Sequence, residues 1–457
     1  MTTTLEQLGE LVAIGEPDAA EQERVRLHMT DSIAAWIAAS EAEEGARILA
    51  FGASGRKPVF LGTNSLDEIV RRVGVTRSSE IDDIHLQSCV TPGAVVVQTA
   101  LALARDCGAT PQTVAAAIWA GYEIAVRLGV AVQGAKILYR GIWPTYLLAP
   151  IAAAAVVARL LGLDSLSCAN ALGAALAMAS GGVGAPADHL ARFLQAGLAA
   201  RAGVTAALAA REGVAADRTL LDGDWFARVH GIELDRAAVR PNERLGTMLQ
   251  LSIKPYCAAK QTIAAIDGFR QVLARGRAAD DITDIRVMTP PIYAKMIGHR
   301  ECAQRIGRIT SVAYQLALAA LAPDRLAEVK RTNLSDEPKV ATFMQRVSVT
   351  PEEALMAYFP RTWPARLEVH FQDGSVDSVL VSEAKGDPAR PFVASDVDAK
   401  FRALTEPVLG RDESGRLLAS CRAALESVDG LEVMLTGLSS LAARLRGADR
   451  QTGDAQS

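Results

Sequence analysis

The strongest constraint on the fold is a helical period of apolar and small residues that continues from the N-terminus to about residue 211. In "RVRLHMTDSIAAWIAAS", one helical stripe carries Val25, Met29, Ile33 and Trp36. Aromatic residues make up 5% of the chain, whereas alanine and glycine are abundant, so helix backbones can pack closely. The first half is therefore predicted to be a bundle-like or globular helical domain.

Two of these helices begin with the same pattern, a threonine followed by a proline. "TPGAVVVQTALALARDCG" places Thr91 as the N-cap and Pro92 at the first helical position, and "TPQTVAAAIWAGYEIAVRLG" repeats this with Thr110 and Pro111. Proline suits a first helical turn because its missing N–H has no helical partner there. Both segments are therefore predicted to be helices that start at these prolines.

The pattern changes after the first helical region. Residues 212–247 are rich in turn formers and predict a long connection. Beyond it, helical stretches mix with the predicted strands "DITDIRVMT" and "QRVSVT" and with a hairpin around Asp373-Gly374, whose first strand has alternating apolar residues at Leu367, Val369 and Phe371. We predict four segments: residues 1–247, helical; 248–405, α+β; 406–446, helical and returning to the first domain; and 447–457, a disordered tail.

Charge and composition exclude several classes of protein. The net charge is −4 with acids and bases interspersed, which gives no electrostatic footprint for nucleic acid. The N-terminus lacks the basic and apolar regions of a signal peptide. The longest apolar run, residues 146–158, contains Pro150 and is shorter than the about 20 residues of a membrane span, so it is predicted to be a buried core helix. A cytoplasmic protein that does not enter the membrane is expected.

The six cysteines are scattered and form no C-x-x-C pair. This spacing supports neither a disulfide framework nor a zinc site. We expect no metal.

The stretch "EIDDIHLQSCVTPGAVV" concentrates charge directly before a predicted helix start, with Glu80, Asp82, Asp83 and His85 ahead of Thr91. The first amides of a helix favour anions, so these residues could line a site that attracts a carboxylate or phosphate. An acid beside a bound anion has a raised pKa, as a general base near neutrality requires. The alternative is structural: the aspartates cap the helix or form salt bridges, and the histidine is a satisfied, half-buried side chain.

Two further stretches carry cations that suit a carboxylate. In "SIKPYCAAKQT", Lys254 and Lys260 flank a predicted helix start around Tyr256, where two positive charges oppose the helix dipole unless a negative group compensates them. In "HLARFLQAG", Arg192 stands among small and apolar residues, as a bidentate contact with a carboxylate would need. The alternatives are solvated lysines and an arginine that reaches the solvent.

Taken together, these stretches resemble the MmgE/PrpD family, which includes 2-methylcitrate dehydratase, cis-aconitate decarboxylase and iminodisuccinate epimerase. The resemblance covers about residues 5–445 and rests on "EIDDIHLQSCVTPGAVV", "WPTYLLAPIAAAAVVARLLGLD", "LQAGLAARAGVTAAL", "SIKPYCAAKQTIAAID" and "FPRTWPARLEV". It implies a mainly α fold: a large all-helical domain built from N- and C-terminal segments, plus a smaller α+β lid domain. It also implies a homodimer and cofactor-free chemistry on a small di- or tricarboxylate.

The sequence departs from the family pattern mainly where the family carries histidines. The histidine before Pro-Gly is Thr91, the one before Pro-Thr is Trp143, and the histidine of the family's Lys-x-x-His-Ala-Gly is Gln195, with Arg192 in place of that lysine. The resemblance implies that Glu80, Asp83 and His85 are catalytic. It also implies substrate contacts from Asp82, Thr91, Arg192, Gln195, Lys254, Tyr256 and Lys260.

Two functions follow from this pattern. The first is a lyase or isomerase in which the cations neutralise carboxylates while Glu80 or Asp83 moves a proton, with His85 as partner. The second is a non-catalytic family member that binds a carboxylate or serves as a partner subunit, because most proton-transfer histidines are missing. Dehydration, decarboxylation and epimerisation share a carbanion-like intermediate, so the sequence does not choose among them.

Overall fold

The structure is a computed structural model that describes residues 2–50, 65–180, 190–240 and 246–453. It is mainly α-helical with a small α+β portion, as predicted. The described residues form two compact units: the first contains those up to Leu251 and those from Val393 onward, and the second is Ser252–Phe392.

The first unit is helical apart from the two-residue strand β1 (Ile84–His85). Its helices in the described residues are α1 (Thr4–Ile14), α2 (Ala19–Ser40), α3 (Glu43–Ala50), α4 (Ser65–Ser78), α5 (Gly93–Leu103), α6 (Pro111–Ala131), α7 (Gly134–Ile137), α8 (Pro144–Leu160), α9 (Ser165–Ala177), α10 (Ala191–Arg211), α11 (Trp225–His230), α12 (Arg236–Val239), α18 (Ala394–Leu409), α19 (Arg411–Ala423) and α20 (Val428–Gly453). The predicted connection 212–247 therefore holds two short helices, α11 and α12.

The core of this unit is built by long apolar helices that pack face to face. Helix α8 contacts α6, α9 and α10, and residues 146–158 are buried as predicted. The N-cap prediction for α6 is confirmed, because the hydroxyl of Thr110 accepts from the Thr113 N–H at 3.1 Å. Helices α6 and α10 are each long and apolar enough to cross a membrane by length and composition. In α6, however, 94% of the apolar window is buried within the protein, as in a core helix.

The second unit is an α+β structure around one four-stranded sheet. The short strand β2 (Leu251–Ser252) lies where the chain enters this unit. The unit's elements are α13 (Lys260–Leu273), β3 (Ile282–Thr289), α14 (Pro291–Ile297), α15 (Arg305–Thr310), α16 (Val312–Leu321), α17 (Pro338–Gln345), β4 (Val347–Pro351), β5 (Ala365–Phe371) and β6 (Val376–Val381).

The sheet order is β4-β3-β5-β6, with β3 parallel to β4 and the other pairs antiparallel. The predicted hairpin is β5 and β6, and the apolar side of β5 is buried by α13. Buried and half-buried residues alternate along β5, as the sequence predicts.

Two segment boundaries differ from the sequence prediction. Helix α18 packs on α2 in the first unit, so the return to that unit occurs at Val393 rather than at residue 406. A buried ion pair between Lys400 and Asp31, 2.5 Å from Nζ to Oδ1, accounts for this placement. The sequence predicts a disordered tail from residue 447, whereas α20 extends to Gly453. Residues 454–457 lie outside the described residues.

Candidate active site

The segment between α4 and α5, residues 79–92, belongs to the first unit and carries most of the predicted catalytic residues. Glu80 has a φ of 55°, in the left-handed region that glutamate seldom adopts at a cost of about 1–2 kcal/mol. Lys400 donates from Nζ to the carbonyl oxygen of Ile81 at 2.9 Å and so ties the segment to α18. Strained backbone of this kind is concentrated at functional sites.

Four buried charged side chains form one cluster around Glu80. Arg192 of α10 donates from Nη2 to Glu80 Oε1 at 2.5 Å, and Arg77 of α4 donates from Nη2 to Glu80 Oε2 at 3.4 Å. Arg77 also reaches both carboxylate oxygens of Asp82 at 3.3 Å from Nη1. Burial acts to lower the pKa of Arg77, but Asp82 and Glu80 raise it overall, so its guanidinium stays charged.

Aromatic rings hold Arg192 in place. Its guanidinium carbon lies 4.8 Å from the ring centre of Trp143 and 4.3 Å from that of Phe193. The Trp143 ring in turn stacks on Tyr146 with centroids 5.7 Å apart. Tryptophan is the best partner for a cation–π contact. Trp143, which stands where the resemblance implies a histidine, therefore positions a cation.

Asp83 is the centre of a second buried network. Its Oδ2 lies 2.8 Å from His28 Nδ1 and accepts from the Tyr122 hydroxyl at 2.6 Å, while Oδ1 accepts from the Gly93 N–H at 2.9 Å. The guanidinium of Arg24 lies 3.2 Å from His28 Nε2 and can only donate. His28 therefore carries its proton on Nδ1 and donates it to Asp83.

This geometry contradicts two expectations. Thr91 does not cap α5: its hydroxyl lies 3.1 Å from that of Thr145, and Asp83 accepts from the first helical amide instead. The pKa of Asp83 is not raised either. Burial acts to raise it, but hydrogen bonds from His28, Tyr122 and Gly93 leave the pKa below its usual value. Asp83 is thus a stable carboxylate that fixes its neighbours.

Gly93 is required at the start of α5 by close packing. A β-carbon at this position would lie 2.8 Å from Asp83 Oδ1 and 2.9 Å from the Tyr122 hydroxyl oxygen. Any larger residue would therefore push Asp83 away from the helix start.

His85 is buried and neutral. Its Nδ1 accepts from the Ser88 N–H at 3.2 Å and lies 2.9 Å from the Ser88 hydroxyl, and its Nε2 lies 3.5 Å from Gln250 Oε1. Burial lowers the pKa of His85 from its ordinary value of 6.5 to about 4. The ring can donate a hydrogen bond from Nε2, but it is a weak base.

This depressed pKa predicts acid-sensitive stability. Between pH 6.5 and 4 the unfolded chain binds a proton at His85 that the folded protein excludes, so stability is full above 6.5 and falls as the pH drops. The interval from 6.5 to about 4 corresponds to a loss on the order of 3 kcal/mol. Urea unfolding of the wild type and of His85→Asn at pH 6.5 and at about pH 4 measures this loss of stability. Equal losses in the two proteins would contradict the attribution of the loss to His85.

Gln195 is not part of either network. It lies one turn after Arg192 on α10, with its side chain exposed. Its assignment as a substrate contact stays a prediction that the geometry of the first unit does not support.

The three predicted substrate residues of the second unit are buried there. Tyr256 accepts from Arg270 Nη1 at 2.7 Å. Lys260 is the first residue of α13 and donates to Asp387 Oδ1 at 2.5 Å, so Asp387 compensates this lysine in the free protein. The role of Lys260 as a substrate contact stays a prediction. Lys254 is buried as well, and its role stays a prediction.

The sequence analysis missed the partners that complete these networks: His28, Arg77, Tyr122 and Tyr146 in the first unit and Asp387 in the second. His28 and Asp83 are 55 positions apart, and Lys260 and Asp387 are 127 apart, so local patterns could not pair them. One signal was present, because Arg77 precedes Glu80 by three and Asp82 by five residues.

All six cysteines are free thiols. Within the described ranges, no three or more His, Cys, Asp or Glu side chains come together as a metal ion would require.

Comparison with known proteins decides the family. The MmgE/PrpD N-terminal domain matches residues 11–231, and the MmgE/PrpD C-terminal domain matches residues 256–423. The chain belongs to the MmgE/PrpD family. It is also similar to the cis-aconitate decarboxylase-like protein oryM of Aspergillus oryzae, with 23% identity over 380 residues that cover 78% of each chain. The family includes dehydratases and decarboxylases.

At two positions where the resemblance implies histidines, the chain has Thr91 and Trp143. Thr91 is hydrogen-bonded to Thr145, and Trp143, two residues before Thr145, packs on Arg192. The two positions are thus close in space.

Proposed function

We propose that this MmgE/PrpD protein is a cofactor-independent lyase or isomerase that moves a proton next to a carboxylate on a small di- or tricarboxylate. The observation that carries the proposal is the buried cluster in which Arg77 and Arg192 surround Glu80. Arginine binds carboxylates in a bidentate manner, and a buried arginine does so with little competition from water. The relative in Aspergillus oryzae, which is described as cis-aconitate decarboxylase-like, supports a carboxylate substrate.

The roles of the residues follow from their surroundings. Arg192 holds a substrate carboxylate and stabilises negative charge that develops beside it; one such preorganised donor contributes about 10²–10³ in rate. Glu80 moves the proton, since it is the more exposed of the two acids, with 9% of its side chain exposed against 2% for Asp83. Asp83 is a positioning residue that fixes Tyr122, His28 and the start of α5. His85 contributes a hydrogen-bond donor.

Proton exchange in D₂O tests this proposal. The protein is incubated with tartrate-like, aconitate-like and amino-dicarboxylate compounds, and exchange at the carbon next to a carboxylate is followed by NMR. Glu80→Gln is expected to slow exchange by roughly 10²–10⁴-fold, the usual contribution of a general base.

The matched control is Glu123→Gln, which neutralises another buried glutamate, paired with Arg127 at 2.8 Å on α6. It should leave exchange intact. Equal exchange in Glu80→Gln and the wild type would contradict the role of Glu80.

The second candidate is a carboxylate-binding member without catalysis. It is favoured by one feature: at two positions where the resemblance implies histidines, Thr91 and Trp143 have groups that do not titrate near neutral pH. Ligand-induced shifts of the melting temperature without any proton exchange would support it.

We also propose that the protein is a cytoplasmic homodimer. The apolar helix α10 supports a dimer because only 50% of its apolar window is buried, and Leu198 on it is 43% exposed. Sedimentation of the wild type and of Leu198→Glu tests this, and a monomeric wild type would exclude it.

A further inference from the structure

The first turn of α8 contains a tyrosine whose hydroxyl group is buried without a partner. Tyr146 is 3% exposed, and its hydroxyl makes no hydrogen bond to any described residue. Such a hydroxyl usually finds a partner, because a polar group taken out of water without one costs free energy. The hydroxyls of the other four buried tyrosines each have one: Tyr122, Tyr256, Tyr293 and Tyr314.

The side chain of Tyr146 extends toward the start of α8. Side chains of a helix lean toward its N-terminus, and the Tyr146 ring accordingly stacks on that of Trp143, the N-cap residue, at an interplanar angle of 13°. Trp143 gives no side-chain hydrogen bond to the first turn. The positively polarised start of α8 therefore has no side-chain cap, and it favours an anion at this place.

Arg192 offers a second buried donor at the same tryptophan ring. Its guanidinium carbon lies 4.8 Å from the ring centre of Trp143, and its Nη2 donates to Glu80. Arg192 Nε is buried as well, and it has no hydrogen-bond partner among the described residues. A guanidinium carries five N–H donors in a fixed fork, and a carboxylate can accept two of them side by side. The described bond to Glu80 thus leaves Nε open to a further acceptor.

The Tyr146 hydroxyl keeps its proton near neutral pH. Burial raises the pKa of Tyr146 above its usual value, and this effect outweighs the opposing effect of Arg77 and Arg192. A protonated phenol can donate one hydrogen bond, and a carboxylate oxygen is an acceptor for the strong, charge-assisted kind. A neutral donor and a cationic donor that pack on one aromatic ring together suit a carboxylate.

We propose that the Tyr146 hydroxyl and Arg192 Nε form the subsite that binds one carboxylate of the substrate. The inference rests on the proposed function, in which Arg192 holds a substrate carboxylate, and it adds Tyr146 as a residue that selects an oxygen acceptor there. The phenol can donate as soon as the carboxylate arrives, because it has no described hydrogen bond to give up. Arg192 contributes the opposite charge, and Tyr146 fixes the position of one carboxylate oxygen.

Calorimetric titration of the wild type and of Tyr146→Phe with succinate and with propane-1,2,3-tricarboxylate tests this subsite. The substitution removes one oxygen atom and keeps the ring that stacks on Trp143. Tyr146→Phe is expected to bind each probe about 10–100-fold more weakly, because a hydrogen bond to a charged group is lost.

The melting temperature separates a ligand contact from a structural role. Because Tyr146→Phe removes a hydroxyl without a described partner, the variant without ligand should melt at or above the temperature of the wild type. The matched control is Tyr314→Phe in the second unit, which removes a hydroxyl that donates to the Thr332 carbonyl oxygen at 2.7 Å. This control should melt at a lower temperature and bind the probes as the wild type does.

The outcomes separate this inference from the proposed function. Probe binding that Tyr146→Phe leaves unchanged overturns the subsite and leaves a carboxylate site at Arg192 standing. A Tyr146→Phe variant that melts below the wild type, or does not fold, also overturns the subsite, because the hydroxyl would then be bonded within the protein. Absence of probe binding in the wild type overturns the proposed function and this inference together.

Discussion

Replacing Arg192 by methionine is expected to lower the free energy of unfolding by about 3–5 kcal/mol and to abolish carboxylate binding. The variant removes from Glu80 the guanidinium that forms its shortest described ion pair, and removal of one partner from a buried ion pair leaves an uncompensated charge. It also removes the cation that stacks on Trp143 and Phe193. Urea unfolding and calorimetry measure the two effects.

A double-mutant cycle separates charge from packing. Arg192→Met combined with Glu80→Met restores charge balance, because Arg77 and Asp82 still pair, so most of the lost stability should return. Carboxylate binding should not return. If the double variant were as unstable as the sum of the single variants, the pair would contribute nothing to stability and the described cluster would be wrong.

Replacing Asp83 by asparagine is expected to destabilise the protein by about 1–3 kcal/mol for each donor that it leaves unsatisfied. Two donors, His28 Nδ1–H and the Tyr122 hydroxyl, converge on Oδ2, where an amide NH₂ cannot accept them. Chemical unfolding of the wild type and of Asp83→Asn at neutral pH measures the change in the free energy of unfolding. Tyr122→Phe removes one of these donors, so Asp83→Asn should cost less in a Tyr122→Phe background than in the wild type.

The pH dependence of this variant has a defined sign. The pKa of Asp83 in the folded protein lies below its usual value. The stabilisation that the ionised carboxylate gives to the folded protein is therefore complete above about pH 4 and is lost as the pH falls through the folded pKa. Asp83→Asn should therefore flatten the acid limb of the stability profile. An unchanged acid limb would show that Asp83 is not held as a carboxylate.

The sequence predicted those parts of the structure that depend on local patterns. Helix α6 begins at Pro111 behind the Thr110 cap, and β5 and β6 form the hairpin that the alternation around Asp373-Gly374 indicated. These features follow from a period or from a cap within a few residues. The family also followed from the sequence, since both of its domains match.

The candidate site was predicted less completely, because its contacts join distant positions. The segment around Glu80 and Asp83 was identified correctly as a concentration of charge, but its partners come from helices far along the chain. Thr91 was a reasonable N-cap by spacing, yet the Asp83 carboxylate reaches the same amide from ten residues away. The hydrogen bond between Lys260 and Asp387 likewise joins two residues that are far apart in the chain. Charge compensation between distant segments leaves no local pattern.

One crystal structure tests the central claim most directly: that of the wild-type protein with propane-1,2,3-tricarboxylate bound. We predict that one carboxylate of the probe lies within hydrogen-bond distance of the Arg192 guanidinium and the Tyr146 hydroxyl. A probe bound away from Arg192 would contradict the claim.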